Sequence, residues 1–174
     1  MSNKKDLLFT IVLLVLALII SLALKNFVFN IAIVDGDSMN PTLENGEILV
    51  NNRISLKFSD LERGDIVIFK SPDIRKQLNV KRVIGLPSES VTLIEGKFYI
   101  DDELLIEDYL DEDTYTLNDI GYHWQLGEEE YFLVGDNRGL NESHDSRATG
   151  PINKREITGI TKIRIFPLNK LGRI

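Results

Sequence analysis

The chain has 174 residues, enough to bury the core of one domain, and it contains no cysteine, which excludes disulfides, a thiol nucleophile and cysteine-ligated metals. Its formal net charge of -7 argues against nucleic acid as a partner, because binding phosphates requires clustered Lys and Arg. The charges are unevenly distributed: every charged residue of 101–130 is acidic, whereas 154–173 is mostly basic. We interpret both stretches as solvated surface.

The first predicted element is an apolar helix over residues 7–24, a run without any charged residue. About 18 residues at ~1.5 Å each give a helix of roughly 27 Å, close to the thickness of a hydrocarbon core. Lys4 and Lys5 precede the run, and positive charge marks the cytoplasmic side of a span. We therefore predict that residues 1–25 are a cytoplasmic N-terminus and a single transmembrane anchor, and that residues 26–174 form an extracytoplasmic domain.

A cleaved signal peptide is the main alternative for this run. Ser21 and Ala23 have the small-x-small pattern found at signal-peptide cleavage sites. The apolar core of such peptides is about 7 to 15 residues long, however, and the run here is longer. A buried helix of a soluble domain is a weaker alternative, because the run has no polar face.

Beyond residue 25 the pattern changes to short segments rich in Ile, Val and Phe, which are separated by turns containing Gly, Pro and Asn. This alternation of apolar segments and turns is typical of strands. We predict a mainly β domain with an antiparallel sheet in the form of a sandwich or barrel. The predicted strands are 27–34, 48–51, 65–69, 79–84, 90–94, 97–100, 131–134 and 157–166.

The acidic segment 101–130 lies between the sixth and seventh predicted strands and has weak periodicity, so we predict an excursion from the sheet core. Asp111 and Asp113 have the first spacing of a calcium-binding EF-hand loop. Thr116, however, stands where that loop needs glycine. We therefore expect no calcium site here, and no metal or cofactor elsewhere in the chain.

Ser38 is the candidate nucleophile, and it begins the stretch Ser-Met-Asn-Pro-Thr at 38–42. A serine hydroxyl needs a neighbouring base, and donors for the developing oxyanion, before it can attack an amide. The alternative is an ordinary turn, because Asp-Ser-x-x-Pro is common turn chemistry and such serines form local hydrogen bonds. Gly36 permits an unusual backbone conformation that either role would use.

Two kinds of base are available to this serine. Lys81 and Arg82 lie in a segment of Val, Ile and Gly, and if both faces of that strand are covered, one of the two enters a low-dielectric environment. Burial would lower a lysine pKa towards neutrality. The alternatives are a strand-edge pair with both charged ends in solvent, and a Ser-His-Asp arrangement in which His123 or His144 acts with an aspartate such as Asp136.

Polar side chains also crowd into positions 143–147, which read Ser-His-Asp-Ser-Arg and follow Gly-Asp-Asn-Arg at 135–138. A group of this density is either a turn network or the orienting shell of a site. Taken alone, Asp145 and Arg147 are best interpreted as a structural salt bridge.

Together these segments resemble type I signal peptidase, the membrane-anchored Ser-Lys protease that removes signal peptides from exported proteins. The resemblance covers most of the chain. It rests on the N-terminal anchor and on motifs that occur in matching order, namely Ser-Met-Asn-Pro-Thr at 38–42, Gly-Asp-Ile-Val-Ile-Phe at 64–69, Lys-Arg-Val-Ile-Gly-Leu-Pro at 81–87, Gly-Asp-Asn at 135–137 with Ser-x-Asp-Ser-Arg at 143–147, and Phe-Pro-Leu at 166–168. The lysine, the short chain and the single anchor resemble bacterial, Gram-positive members.

The resemblance implies that Ser38 is the nucleophile and that Lys81 is the general base. It also implies that Ser143 hydrogen-bonds the lysine, while Asp145 and Arg147 brace the site. A further implication concerns Gly36, which stands where some members have a serine whose hydroxyl completes the oxyanion hole. The Ser38 backbone N–H is then the expected donor.

The resemblance further implies secretory preproteins and membrane lipid as partners. It implies a place in the bacterial cell membrane, with the N-terminus in the cytoplasm and the β domain outside; the oligomeric state is left open. One alternative function is a catalytically inactive, membrane-tethered β domain that binds proteins as a scaffold. Another is a Ser-Lys protease that is restricted to self-cleavage or to one cargo.

Overall fold

The computed structural model describes residues 2–27, 29–72, 77–117 and 122–174. The chain begins with a long helix, α1 (Ser2–Phe27), whose large apolar side chains between residues 7 and 20 are exposed. Within the described residues, no helix combines the length and the apolarity that crossing a membrane requires. Two further α-helices are single turns, α2 (Ser55–Phe58) and α3 (Ser146–Thr149).

The described residues after α1 are mainly β, as predicted. They form the strands β1 (Phe29–Ile33), β2 (Ile48–Asn52), β3 (Ile66–Lys70), β4 (Leu78–Gly85), β5 (Ser90–Ile94), β6 (Lys97–Ile100), β7 (Glu103–Leu104), β8 (His123–Gln125), β9 (Glu130–Val134), β10 (Ile152–Asn153), β11 (Ile157–Phe166) and β12 (Gly172–Arg173).

The strands pair antiparallel in two sheets. The first sheet has the order β1-β2-β11-β3-β4-β9-β10, with β12 paired to β11, and the second has the order β7-β6-β5-β8. Strand β11 pairs with both β2 and β3 and has a register shift between Thr161 and Ile163. A shift of this kind bends a strand and increases the local twist. In the strand order of the first sheet, β4 lies in the interior and β1 lies at the edge.

Strand β4 is covered on both faces. On one face Val83 packs in a cluster with Val67 and Leu133 of the neighbouring strands. On the other face Ile84 packs in a second cluster with Phe132 and with Phe98 of the second sheet. Burying apolar side chains of this size contributes about 1.5–3 kcal/mol each, so the two layers hold the strand firmly. The second half of β4, which contains Lys81 and Arg82, consequently lies in a low-dielectric interior.

All eight predicted strands are present; three have the predicted bounds, and the ends of the other five differ by one or two residues. The predicted start of the first strand is wrong, because Phe27 ends α1 and β1 begins at Phe29. Val28 lies outside the described residues.

The acidic segment 101–130 is only partly the excursion that we predicted, because β7 and β8 pair with β6 and β5 and complete the second sheet. Strands of two and three residues are too short to show the alternation on which strand prediction depends. Residues 118–121 of this segment lie outside the described residues.

Candidate active site

The loop between β1 and β2 presents Ser38. Backbone hydrogen bonds close the base of the loop, from Val34 N–H to Glu47 C=O at 2.8 Å and from Gly46 N–H to Val34 C=O at 2.9 Å. The side chain of Met39 is fully buried beneath the loop in a third apolar cluster. Because its neighbour is held in the core, Ser38 is fixed in a half-buried position at the surface.

The predicted unusual backbone conformation is present two residues before the serine. Gly36 has a φ of +92°, which L side chains rarely adopt, and its N–H donates to Asn45 Oδ1 at 3.0 Å. A Cβ at this position would meet nothing within 4 Å, so the glycine is required by its φ and not by lack of space.

Lys81 lies on β4 opposite Val67 of β3, and its side chain reaches the serine. Its Nζ atom is 2.7 Å from Ser38 Oγ and 2.9 Å from the carbonyl oxygen of Val80. The residue is only 2% exposed. The two side chains that the sequence singled out are therefore in direct contact.

Burial lowers the pKa of Lys81 to about 8, since an ammonium loses its hydration inside the protein. Asp145 and Asp136 act against this effect and raise the pKa, whereas Arg147 lowers it further. An amine with this pKa is partly neutral near physiological pH and has a lone pair that can accept the serine proton.

Arg82 is also buried, on the opposite side of β4 from Lys81. Its Nε and Nη2 atoms bind the Asp136 carboxylate at 3.0 and 2.7 Å, and its guanidinium lies 3.7 Å from the centre of the Tyr109 ring. The strand-edge alternative, with both charged ends in solvent, is wrong because β4 is an interior strand. Tyr109 brings the acidic segment 101–130 against the strand that carries the lysine.

Asp145 and Arg147 form a buried pair near the lysine. Arg147 donates from Nε to Asp145 Oδ1 and from Nη2 to Oδ2, both at 2.9 Å, while the N–H of Gly135 donates to Oδ2 at 2.9 Å. Burial alone would raise the pKa of Asp145, but the hydrogen bonds and charge of Arg147, together with the contributions of the Gly135 N–H and Ser143, outweigh burial and the pKa is lowered. Asp145 is therefore ionised, and its hydrogen bonds with Arg147 and Gly135 connect α3 to the loop after β9.

The expected hydrogen bond between Ser143 and the lysine is not formed. Ser143 Oγ is buried and has no hydrogen-bond partner among the described residues, although it lies close enough to Asp145 to help lower the pKa of that carboxyl. The Lys81 amine instead donates to Ser38 Oγ and to the Val80 carbonyl oxygen.

The Ser-His-Asp alternative with His123 as the base does not agree with the contacts of the described residues. His123 lies on β8 in the second sheet, with Nδ1 3.0 Å from Thr92 Oγ1. Asp136, the aspartate that such a triad would use, binds Arg82. The Ser38 hydroxyl is bonded to Lys81.

An apolar cleft of about 380 Å³ opens beside Ser38. Its walls come from β1 and the following residues, including Ile31 and Ile33, and from the start of β4 at residues 78–80. Three strands separate β1 from β4 in the sheet order, so the sheet curls to bring both to the same cleft. Residues of β1 and Ser38 therefore line the same cleft.

Comparison with known proteins identifies the family. A family model described as signal peptidase, peptidase S26, matches residues 7–166. The chain belongs to this family. It is 33% identical to signal peptidase I S of Bacillus subtilis (strain 168), over 99% of this chain and 96% of that protein. It is 34% identical to signal peptidase I of Bacillus licheniformis, again over 99% of this chain and 96% of that protein.

Similar signal peptidases also occur outside Bacillus. Signal peptidase I of Leptolyngbya laminosa is 32% identical over 91% of this chain and 79% of that protein. A solved structure of signal peptidase I from Enterococcus faecalis V583 is 32% identical and covers 59% of this chain and 97% of that chain, with a TM-score of 0.49. The predicted membership of the signal peptidase family, with relatives in Gram-positive bacteria, is confirmed.

Two residues near the signal peptidase site were not predicted to have a role there. Asn137 was part of the Gly-Asp-Asn motif, and in the structure it bonds the backbone on both sides of Ser38. Its place in a motif of the family was the available signal. Tyr109 carried no signal, because its contact with Arg82 depends on how the acidic segment folds back.

Proposed function

We propose that this chain is a serine endopeptidase that removes N-terminal signal peptides from exported preproteins, after a small-x-small motif, with Ser38 as nucleophile and Lys81 as general base. The observation that carries the proposal is the 2.7 Å contact between Ser38 Oγ and the buried Lys81 amine, whose pKa is lowered to about 8. Family membership and the named relatives support the same activity.

The mechanism begins with Lys81 in its neutral form. The amine accepts the proton of Ser38 Oγ as that oxygen attacks the carbonyl carbon, and the Ser38 N–H binds the developing oxyanion. The lysine then donates the proton to the leaving amine of the mature protein, which leaves an acyl-enzyme. Finally Lys81 takes a proton from a water molecule as the water oxygen attacks the acyl carbon. Lys81 then passes this proton to Ser38 Oγ as the bond between Oγ and the acyl carbon breaks, which releases the signal peptide with a new carboxyl end.

Asp145, Arg147, Ser143 and Gly36 support this chemistry without taking part in it. Asp145 and Arg147 fix the loop after β9 beside the lysine. The charge of Asp145 raises the pKa of Lys81, and the charge of Arg147 lowers it. Ser143 packs against Gly135, where a Cβ would lie 2.2 Å from its Oγ. Gly36 provides the left-handed backbone conformation in residues 34–47, the loop between β1 and β2 that carries Ser38 and is called the nucleophile loop below.

The substrate fits the cleft as an added strand. A peptide beside β1 would hydrogen-bond the free edge of that strand, and its alternate side chains would point into the apolar space next to Ser38. Two side chains with the same orientation are separated by one residue that points away. In a small-x-small sequence, the two small side chains would therefore both point into the cleft.

We further propose that residues 1–25 anchor the chain in the bacterial cell membrane, with the N-terminus in the cytoplasm and residues 26–174 outside. The uncharged run 7–24, the lysines before it and the exposed apolar side chains of α1 support this topology. An anchor would hold the enzyme and the membrane-bound preprotein in one bilayer, which raises their effective concentration.

The decisive experiment incubates the full-length protein in detergent with a secretory precursor. We expect cleavage by the unmutated protein and none by Ser38→Ala or Lys81→Ala. Lys162→Ala is the matched control, because this lysine is half-exposed on β11 and pairs with Asp65 at 3.0 Å. Cleavage that survives Lys81→Ala would overturn the lysine mechanism. Precursor that is bound by the unmutated protein without being cut would instead favour the scaffold function.

A further inference from the structure

We propose that Asn137 is a positioning residue for the oxyanion hole: it holds the peptide groups on both sides of Ser38 and thereby points the Ser38 N–H at the substrate oxygen. The proposal deepens the proposed function and rests on it. Asn137 follows β9, in a loop separated by 100 positions from the backbone that it contacts.

Asn137 makes two hydrogen bonds to the nucleophile loop. Its side-chain Nδ2 donates to the carbonyl oxygen of Asp37 at 3.2 Å, and its backbone N–H donates to the carbonyl oxygen of Ser38 at 3.1 Å. A third contact fixes the orientation of the amide, because Oδ1 accepts from the N–H of Gly139 at 3.4 Å. With the amide reversed, Oδ1 would face a carbonyl and Nδ2 would face an N–H.

The geometry of the peptide bond links these contacts to catalysis. The carbonyl of Asp37 and the N–H of Ser38 belong to one planar trans peptide, in which they point in opposite directions. Holding that carbonyl therefore fixes the direction of the N–H. The carbonyl also accepts from the Asn40 N–H at 3.0 Å, and two donors on one carbonyl polarise the amide and strengthen its N–H as a donor.

The Ser38 N–H is available for a substrate. Among the hydrogen bonds between described residues, none is donated by this group. Gly36 brings no side-chain hydroxyl to the oxyanion, which increases the importance of how well the Ser38 N–H is aimed.

Asn137 is itself held rigidly from both sides. The preceding residue, Asp136, has a fully buried side chain that binds Arg82. One residue earlier, Gly135 lies so close to the nucleophile loop that a Cβ would be 2.3 Å from the Ser38 carbonyl oxygen. The residues 135–137 therefore rest directly on the nucleophile loop, and the amide of Asn137 has little freedom to move.

The test compares Asn137→Asp with Asn141→Asp in the full-length protein. The first variant keeps the shape of the side chain but loses the Nδ2 donor. The second adds the same charge in the same loop at an exposed position with a φ of 61°, which Asp tolerates. We expect kcat of Asn137→Asp to fall by about 10- to 100-fold, because removing an oxyanion donor outright costs about 10²–10³-fold. KM should change little. The added carboxylate should move the pH midpoint upward, as the neighbouring Asp136 raises the pKa of Lys81, so kcat is compared on the high-pH plateau. Asn141→Asp should behave like the unmutated protein.

A peptide aldehyde and the matching peptide alcohol separate positioning from general damage. The Ser38 Oγ adds to the aldehyde carbon, the carbonyl electron pair moves to oxygen and the serine proton passes to Lys81, so the adduct uses the oxyanion hole. The alcohol binds the cleft without reacting. Asn137→Asp should weaken the aldehyde by the same factor as it lowers kcat/KM and should leave the affinity for the alcohol unchanged.

Equal weakening of the aldehyde and the alcohol, a rise in KM alone, or equal activity of the two Asp variants would overturn the proposal. If Asn137→Asp fails to fold, which circular dichroism would detect, Asn137→Ala decides by the same measurements. Failure of the unmutated protein to cleave a precursor would instead refute the proposed function, so the two failures are distinguishable.

Discussion

The buried amine of Lys81 makes a quantitative prediction for the pH dependence of cleavage. Only the neutral amine can accept the Ser38 proton, so kcat/KM should follow the neutral fraction of a group whose pKa is about 8. That fraction rises from about one tenth at pH 7 to about nine tenths at pH 9. We therefore expect a roughly tenfold increase over this interval, with a plateau above about pH 9.

The alternatives give different curves. A lysine with its ordinary pKa of 10.5 would give a rise of about 100-fold between pH 7 and pH 9, with no plateau. A histidine base would already be neutral at about pH 7.5, and its profile would be flat above that value. Either result would refute the assignment of a desolvated Lys81 as the base.

The assay follows single turnovers of a fluorescent precursor peptide in buffers of constant ionic strength. Ser38→Ala supplies the blank, and unfolding measurements at each pH confirm that the protein stays folded. Asp145→Asn tests the electrostatic origin of the pKa, because it removes a charge that raises the lysine pKa and leaves Arg147, which lowers it. The midpoint should move to lower pH; a move to higher pH would contradict the structure.

The remaining predictions concern stability and packing. Lys81→Met should be inactive, yet it should raise the free energy of unfolding at pH 7 by up to about 3 kcal/mol, since the variant buries no ammonium. Urea titrations should show this gain shrinking between about pH 8 and 10.5, where the lysine of the unmutated protein is neutral when folded and charged when unfolded. Gly135→Ala should abolish cleavage and lower the melting temperature, because its Cβ would lie 2.2 Å from Ser143 Oγ. In the control Gly127→Ala the Cβ would meet only the carboxyl end of Glu130, at 3.2 Å, so neither property should change. Equal activity and equal melting temperature of the two variants would contradict the packing around Gly135. Tyr109→Leu removes the ring over Arg82 and should lower kcat/KM several-fold, while Tyr109→Phe keeps the ring and should stay within about twofold; equal losses would exclude the stacking contact as the cause.

The strands were predictable because each carries its own alternation or apolar run, which burial in a sheet requires. Strands β7 and β8 were not predictable, since so few residues contain no period and their pairing depends on β5 and β6.

Some features of the site were predictable from the local sequence, and others only from the resemblance to a family. The segment around Lys81 suggested a buried lysine on local grounds, but its contact with Ser38 followed only from the resemblance to a family, because the curl of the sheet sets that distance. The resemblance also suggested a bond from Ser143 that the structure does not contain. The role of Asn137 depends on two loops far apart in the chain, and no local pattern reports their approach.

The contacts between Asn137 and the nucleophile loop also determine when the enzyme can become active. Contacts between residues so distant in sequence require closure of a long loop, which has an entropic cost and slows folding. Ser38 is held in place only after the loop that follows β9 has been synthesised and has folded back onto it. A chain that ends before this loop is therefore expected to be inert, and the return of cleavage during refolding should mark the docking of the two loops and not the formation of any local element.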